Sequence, residues 1–121
     1  MHSHKNQSFF KRLSFAVAGL REAIRSEHSL RFHAAALAGV VIVLCILRPE
    51  PIWWALAAIA SALVIMAELF NTAVEHLIDH LHPHAHPRIG IVKDFAAAAV
   101  LMSVFGALGI AAAFVVHELT R

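Results

Sequence analysis

The chain has 121 residues, 60% apolar and only 15% charged, with mean hydropathy +0.71 and a formal net charge of +2. That balance excludes an ordinary water-soluble domain and requires lipid as the solvent. There is room for one domain, 1–121, with too few side chains for one copy to enclose a substrate-sized cavity by its own packing, so neighbouring subunits are expected to complete any site.

The first residues, Met1 to Ser8, lack an apolar core and a small-residue cleavage site, so no removable signal peptide is expected. From 8 to 25, Phe9, Phe10, Leu13, Val17, Leu20 and Ile24 recur at three- and four-residue steps, with Lys11, Arg12, Arg21 and Arg25 between them. This spacing predicts an amphipathic helix that lies on the membrane surface or packs its apolar face on a bundle. The hydrophilic break Ser26-Glu27-His28-Ser29 separates it from a first span over 30–47, which ends at Arg48-Pro49-Glu50-Pro51, a proline-rich turn. Cys45, the one cysteine, falls inside this span; no internal disulfide can form and it reads as a buried small hydrophobe.

A second helix is predicted over 52–80, apolar from Ile52 to Ala67 and then carrying a polar stripe. The third, over 94–117, has an uncharged stretch from Phe95 to Val116 in which Ser103 is the one hydroxyl. At about 1.5 Å per residue it crosses a hydrocarbon core of roughly 30 Å. The fold expected is therefore an all-α membrane protein with three transmembrane helices preceded by a surface helix. Basic residues gather before and at the start of the first span and again at Arg88 and Lys93, while Arg48 is alone in the first loop; this places the N-terminus and the second loop in the cytoplasm, with Arg121 a mild exception.

Glu68, Asn71 or Thr72, Glu75 and Asp79 follow at intervals of three and four, so they share one face of the second helix as it leaves the bilayer. Three carboxylates on one face repel one another and are costly near lipid unless paired or bound to a cation, which makes them a candidate site. Snorkelling into water accounts for Asp79 and partly for Glu75. It does not account for Glu68, which sits between a long apolar run and Leu69-Phe70. Lys93-Asp94 precedes the third span, where Asp94 by itself reads as an N-cap and Lys93 as an interfacial anchor. Carboxylates for magnesium, a lysine for phosphate charge and a base for an attacking hydroxyl are what phosphoryl transfer needs, although no glycine-rich phosphate loop or soluble-kinase motif is present.

The run from Glu68 through Asn71 and Glu75 to Asp79, then His86-Pro87, then Lys93-Asp94-Phe95 and the alanines to Leu101, closely resembles the signature of the prokaryotic diacylglycerol kinase and undecaprenol kinase family. Gly19-Leu20, Glu27 and Arg31 also fall where that family has them. The resemblance implies a homotrimer of three-span subunits in the bacterial inner (plasma) membrane, with ATP and a membrane lipid alcohol as substrates, Mg2+ as cofactor and no nucleic-acid partner. It implies that Glu68 is the general base, that Glu27 and Glu75 hold magnesium, and that Asn71, Asp79, His86, Lys93 and Asp94 contact nucleotide. Diacylglycerol, giving phosphatidic acid, is the default acceptor. Ala97, Phe32 and His33 depart from the enteric pattern, and Arg31-x-His33 with Asn71-Thr72-Ala73 looks more like the undecaprenol kinase branch. Small residues such as Ala96 to Ala99 offer an interhelical groove for the lipid body.

A different class of function comes from His76, His80, His82, His84 and His86. His76 and His80 are one helical turn apart, a metal-ligand spacing, so a histidine-rich metal-binding membrane protein is the competing reading. Against it stand the absence of cysteine from this loop and the stiffness that Pro83 and Pro87 give it.

Overall fold

The computed structural model describes residues 6–121. Met1 to Lys5, part of the segment expected to contain no signal peptide, lie outside the described residues. Four helices follow in order: α1 Phe9–Ser26, α2 His28–Leu47, α3 Pro51–Leu81 and α4 Pro87–Thr120. The last three are each long and apolar enough to cross a membrane.

Short local signals set the boundaries. Ser8 caps α1, its Oγ accepting from the Lys11 amide at 3.3 Å. The break between α1 and α2 narrows to one extended residue, Glu27, so α2 starts before the predicted Leu30. Arg48 turns the chain with φ 49° and ψ 56°, and Pro51, whose missing N–H costs nothing in a first turn, opens α3. The same logic extends α4 beyond its predicted start at Asp94. Pro87 stands in the first turn and His86 is the cap, its Nδ1 accepting from the Arg88 amide at 3.1 Å. Asp94 is therefore in the helix body and is not an N-cap.

α3 packs along α4 and also against α2, while α1 touches α2. The buried positions of α3 are Ala60, Val64 and Glu68, spaced by four along one seam, so the apolar packing line of this helix ends in a carboxylate. At the far end of the bundle the Trp53 ring stands edge-on to Phe114, centroids 5.2 Å apart, and lies 5.4 Å from His117, tying the start of α3 to the end of α4. Ser103 satisfies its hydroxyl within its own helix, on the carbonyl of Val100 at 2.6 Å.

Little else is buried, and large apolar side chains such as Ile46, Ile59, Met102 and Phe105 are exposed around the spans, as befits a surface solvated by lipid. Cys45 is exposed too, against the expectation of burial, because three spans leave most of α2 facing outward. The apolar stripe of α1 is exposed from Phe9 to Ile24 and only Ala23 of that helix is buried, so the stripe is not used against the chain's own bundle. α1 is joined to α2 at its end, where the Arg31 guanidinium donates to the carbonyls of Ile24 at 3.2 Å and Arg25 at 2.7 Å. A cation on the last carbonyls of a helix also suits its dipole.

Candidate functional site

The polar residues converge at one end of the bundle, where α2 begins, α3 leaves the apolar zone and α4 starts. Glu68 is the one buried charged residue among those described, 7% exposed. Its carboxylate receives two contacts from the first turns of α2: Ser29 Oγ donates to Oε2 at 3.2 Å, and His33 Nε2 lies 3.1 Å from Oε1. A buried carboxylate without donors is strongly disfavoured, and these two partners offset that cost.

One turn on, the Asn71 amide donates to Glu75 Oε1 at 3.3 Å, while Asn71 Oδ1 is buried with no donor among the described residues. Glu27, at the α1–α2 junction, reaches across to α3, where its Oε1 is 3.2 Å from His76 Nε2. His76 follows Glu75 in α3, so the contact ties the α1–α2 junction to the same stretch of α3 that carries Glu75. Further out, Lys93 Nζ donates to Asp79 Oδ1 at 2.7 Å, joining α4 to α3 across the loop. Asp94 is exposed on α4, and His86 is exposed with one ring nitrogen committed to the helix cap. On α1, the hydrogen bonds and charge of Arg25 hold the Glu22 carboxyl below the usual range, away from the cluster.

One chain thus supplies partners to Glu27, Glu68, Glu75 and Asp79 without help from a neighbour. Ser29 and His33 were missing from the sequence-derived set. The signal was present, since they stand four apart, on one face of the polar start of an otherwise apolar helix.

Magnesium takes hard oxygen ligands, commonly one or two carboxylates with the remaining positions filled by phosphate and water. Glu27, Glu75 and the unpartnered Asn71 oxygen fit such an ion. No three His, Cys, Asp or Glu side chains among the described residues converge as a metal-binding group, so the histidine-rich segment forms no all-protein cage there. His76 is turned to Glu27 and His86 caps α4.

A cleft of about 640 Å³ runs between α2, α3 and α4, from Phe32 and His33 past Ala36, Ala60 and Ala107 to Trp53 and Phe114. One copy lines this cleft from three helices but leaves it open and does not enclose it. The cleft does not include Ala96 to Ala99, of which Ala97, Ala98 and Ala99 are exposed.

The fold and this cluster define a helical membrane protein with a carboxylate-rich site at one end of its spans. The sequence matches the prokaryotic diacylglycerol kinase family over residues 14–115. It is 34% identical over 99 residues to the undecaprenol kinase of Bacillus subtilis (strain 168), covering 82% of this chain and 80% of that one. It is 30% identical over 98 residues to the diacylglycerol kinase of Escherichia coli (strain K12), covering 81% and 80%. With the diacylglycerol kinase of Synechocystis sp. it shares 33% over 95 residues, 78% of this chain and 54% of the relative. The chain belongs to the prokaryotic diacylglycerol kinase family. It is a membrane phosphotransferase of the lipid kinase type, a class that in general works with ATP and a divalent metal.

Proposed function

We propose that this protein transfers the terminal phosphate of ATP to the primary hydroxyl of diacylglycerol, giving phosphatidic acid and ADP, at the cytoplasmic face of a bacterial inner membrane. The observation that carries this reading is the placing of Glu68, the buried charged residue at the point where an apolar seam meets a polar stripe. An acceptor with a long apolar body and a hydroxyl head has its reactive oxygen at that depth. Glu68 takes the hydroxyl proton as the oxygen attacks the terminal phosphorus, and the bond to the ADP oxygen breaks in line. Glu27 and Glu75, with Asn71, are the residues that would hold magnesium, which would supply charge neutralisation on the phosphate oxygens. Lys93, Asp79, Asp94 and His86 face the nucleotide. The cleft that begins at His33 supports the lipid side: from Ile65 to Trp53 it follows roughly 18 Å of α3, enough for much of an acyl chain. Three copies packed together would cover the apolar faces of the spans and α1.

Undecaprenol is the second reading for the acceptor, favoured by the similarity to the Bacillus subtilis enzyme and by Arg31-x-His33. Both lipids present a primary hydroxyl on an apolar body, so some activity on each is expected. A side-by-side assay at matched mole fraction in one membrane decides between them. Preference for undecaprenol of about a hundredfold, equivalent to about 2.8 kcal/mol of transition-state binding, reverses the assignment. Phosphorylation of neither lipid removes both acceptor readings.

The nucleotide side has its own test. The Lys93–Asp79 pair is largely exposed, 38% and 64%, and exposed pairs contribute only about 0–1 kcal/mol to stability. Lys93→Gln is therefore expected to leave thermal stability unchanged and to raise KM for ATP by about tenfold, because a charged contact to phosphate is lost. An unchanged KM takes Lys93 out of the nucleotide site.

A further inference from the structure

We propose that His33 is the positioning residue of this site, holding the Glu68 carboxylate by one ring N–H so that the base meets the acceptor hydroxyl in a fixed orientation. The proposal rests on the reading of Glu68 as the base. Glu68 has flexible side-chain torsions, and its position is set by what holds its two oxygens. Ser29 and His33 sit one turn apart on the same face of α2 and take one oxygen each, which fixes both the place and the tilt of the carboxylate plane. The two partners differ in what they can enforce. A serine hydroxyl rotates freely about its own bond, whereas the imidazole is a rigid plane, and the Phe32 ring stands edge-on to it with centroids 5.6 Å apart.

The direction of the hydrogen bond follows from the chemistry. A carboxylate acting as base is ionised and only accepts, so His33 Nε2 carries the hydrogen in this contact. An ionised carboxylate has about four lone-pair directions, and one donor on each oxygen leaves room for the hydroxyl of the acceptor. The clamp therefore orients the base without blocking it. The His33–Glu68 contact is sheltered, with side chains 17% and 10% exposed, so water does not easily replace the lost donor.

His33 also lines the cleft between the spans, which Glu68 does not. One ring thus borders the apolar space on one side and holds the base on the other. A lipid lying in the cleft brings its head group past His33 to reach Glu68. Displacing a reacting group by about 1 Å can cost on the order of a hundredfold in rate, so a side chain that only orients the base has a large kinetic effect.

The test compares two amides of equal polarity and different reach. The amide nitrogen of Gln falls near the place of His Nε2, while that of Asn falls near Nδ1 and does not reach Glu68. In the full-length protein in lipid, His33→Asn and His33→Leu are expected to lower kcat by about ten- to a hundredfold with KM for ATP unchanged, and His33→Gln to recover to within about threefold of the parent. If His33→Leu does not assemble, the Asn and Gln variants alone carry the comparison, since both are polar and of similar bulk. Equal kcat in His33→Asn and His33→Gln, or parental kcat in His33→Asn, overturns the proposal. Glu68→Gln run in parallel separates the two readings. Activity in Glu68→Gln removes the base itself, whereas an inactive Glu68→Gln beside a fully active His33→Asn leaves the base in place and removes only its positioning by His33. Adding His33→Asn to Glu68→Gln is expected to cost nothing further, because the two residues act as one unit.

Discussion

Glu68→Gln is expected to lower turnover by about 10²- to 10⁴-fold, the range over which a general base contributes, while nucleotide affinity and assembly stay close to the parent. The substitution keeps the shape and volume of the side chain. It also keeps a satisfied hydrogen-bond pattern, since the amide oxygen accepts from Ser29 and the amide nitrogen can donate to His33 Nε2 in its other tautomer. What is lost is the capacity to take a proton. Measured at saturating lipid and ATP, with particle size compared with the parent by size exclusion in detergent, parental turnover in this variant removes Glu68 from the mechanism. A change in particle size from the parent would instead mean that its charge is needed for packing.

The second large effect concerns the metal. Glu27→Ala and Glu75→Ala should each raise the magnesium concentration for half-maximal rate, and the double variant should lose far more than either alone, if the two carboxylates hold one ion as proposed. Neither truncation removes a helix cap. Glu27 precedes α2 but makes no side-chain bond to its first turn, and the partners it gives up, His76 for Glu27 and Asn71 for Glu75, are side chains of α3. Initial rates across a magnesium titration, with free ATP held constant, provide the measurement. Parental magnesium dependence in both single variants would count against this metal assignment and turn attention to the histidine segment. There, zinc binding lost on replacing His76 and His80 would be the matching positive result.

Much of this was legible from order alone, for reasons that differ by region. The spans read plainly because a hydrocarbon core demands long uncharged runs, and the stretch Phe95 to Val116 has no other use. The turn at Arg48 to Pro51 read plainly because proline cannot continue a helix that precedes it. The polar stripe read well because periodicity places Glu68, Asn71, Glu75 and Asp79 on one face whatever the rest of the chain does. α4 starts at Pro87, seven residues before the predicted Asp94, because its first turns are set by the local Pro87 and His86 cap signal and not by the apolar run that follows.

Sequence by itself determined the helices, their membrane character and the line of carboxylates along α3, since all of these depend on local periodicity and on the solvent each residue requires. Tertiary structure decided which of those carboxylates is buried and what holds it. Periodicity relates residues within one helix and is silent about how two helices meet. Ser29 and His33 on α2 therefore became partners of Glu68, and Glu27 a neighbour of His76, only when α2 was laid against α3. The cleft between the spans was decided the same way. It exists because α2 and α4 both pack on α3 and all three line one space, a relation between three helices that no pattern in any one of them contains.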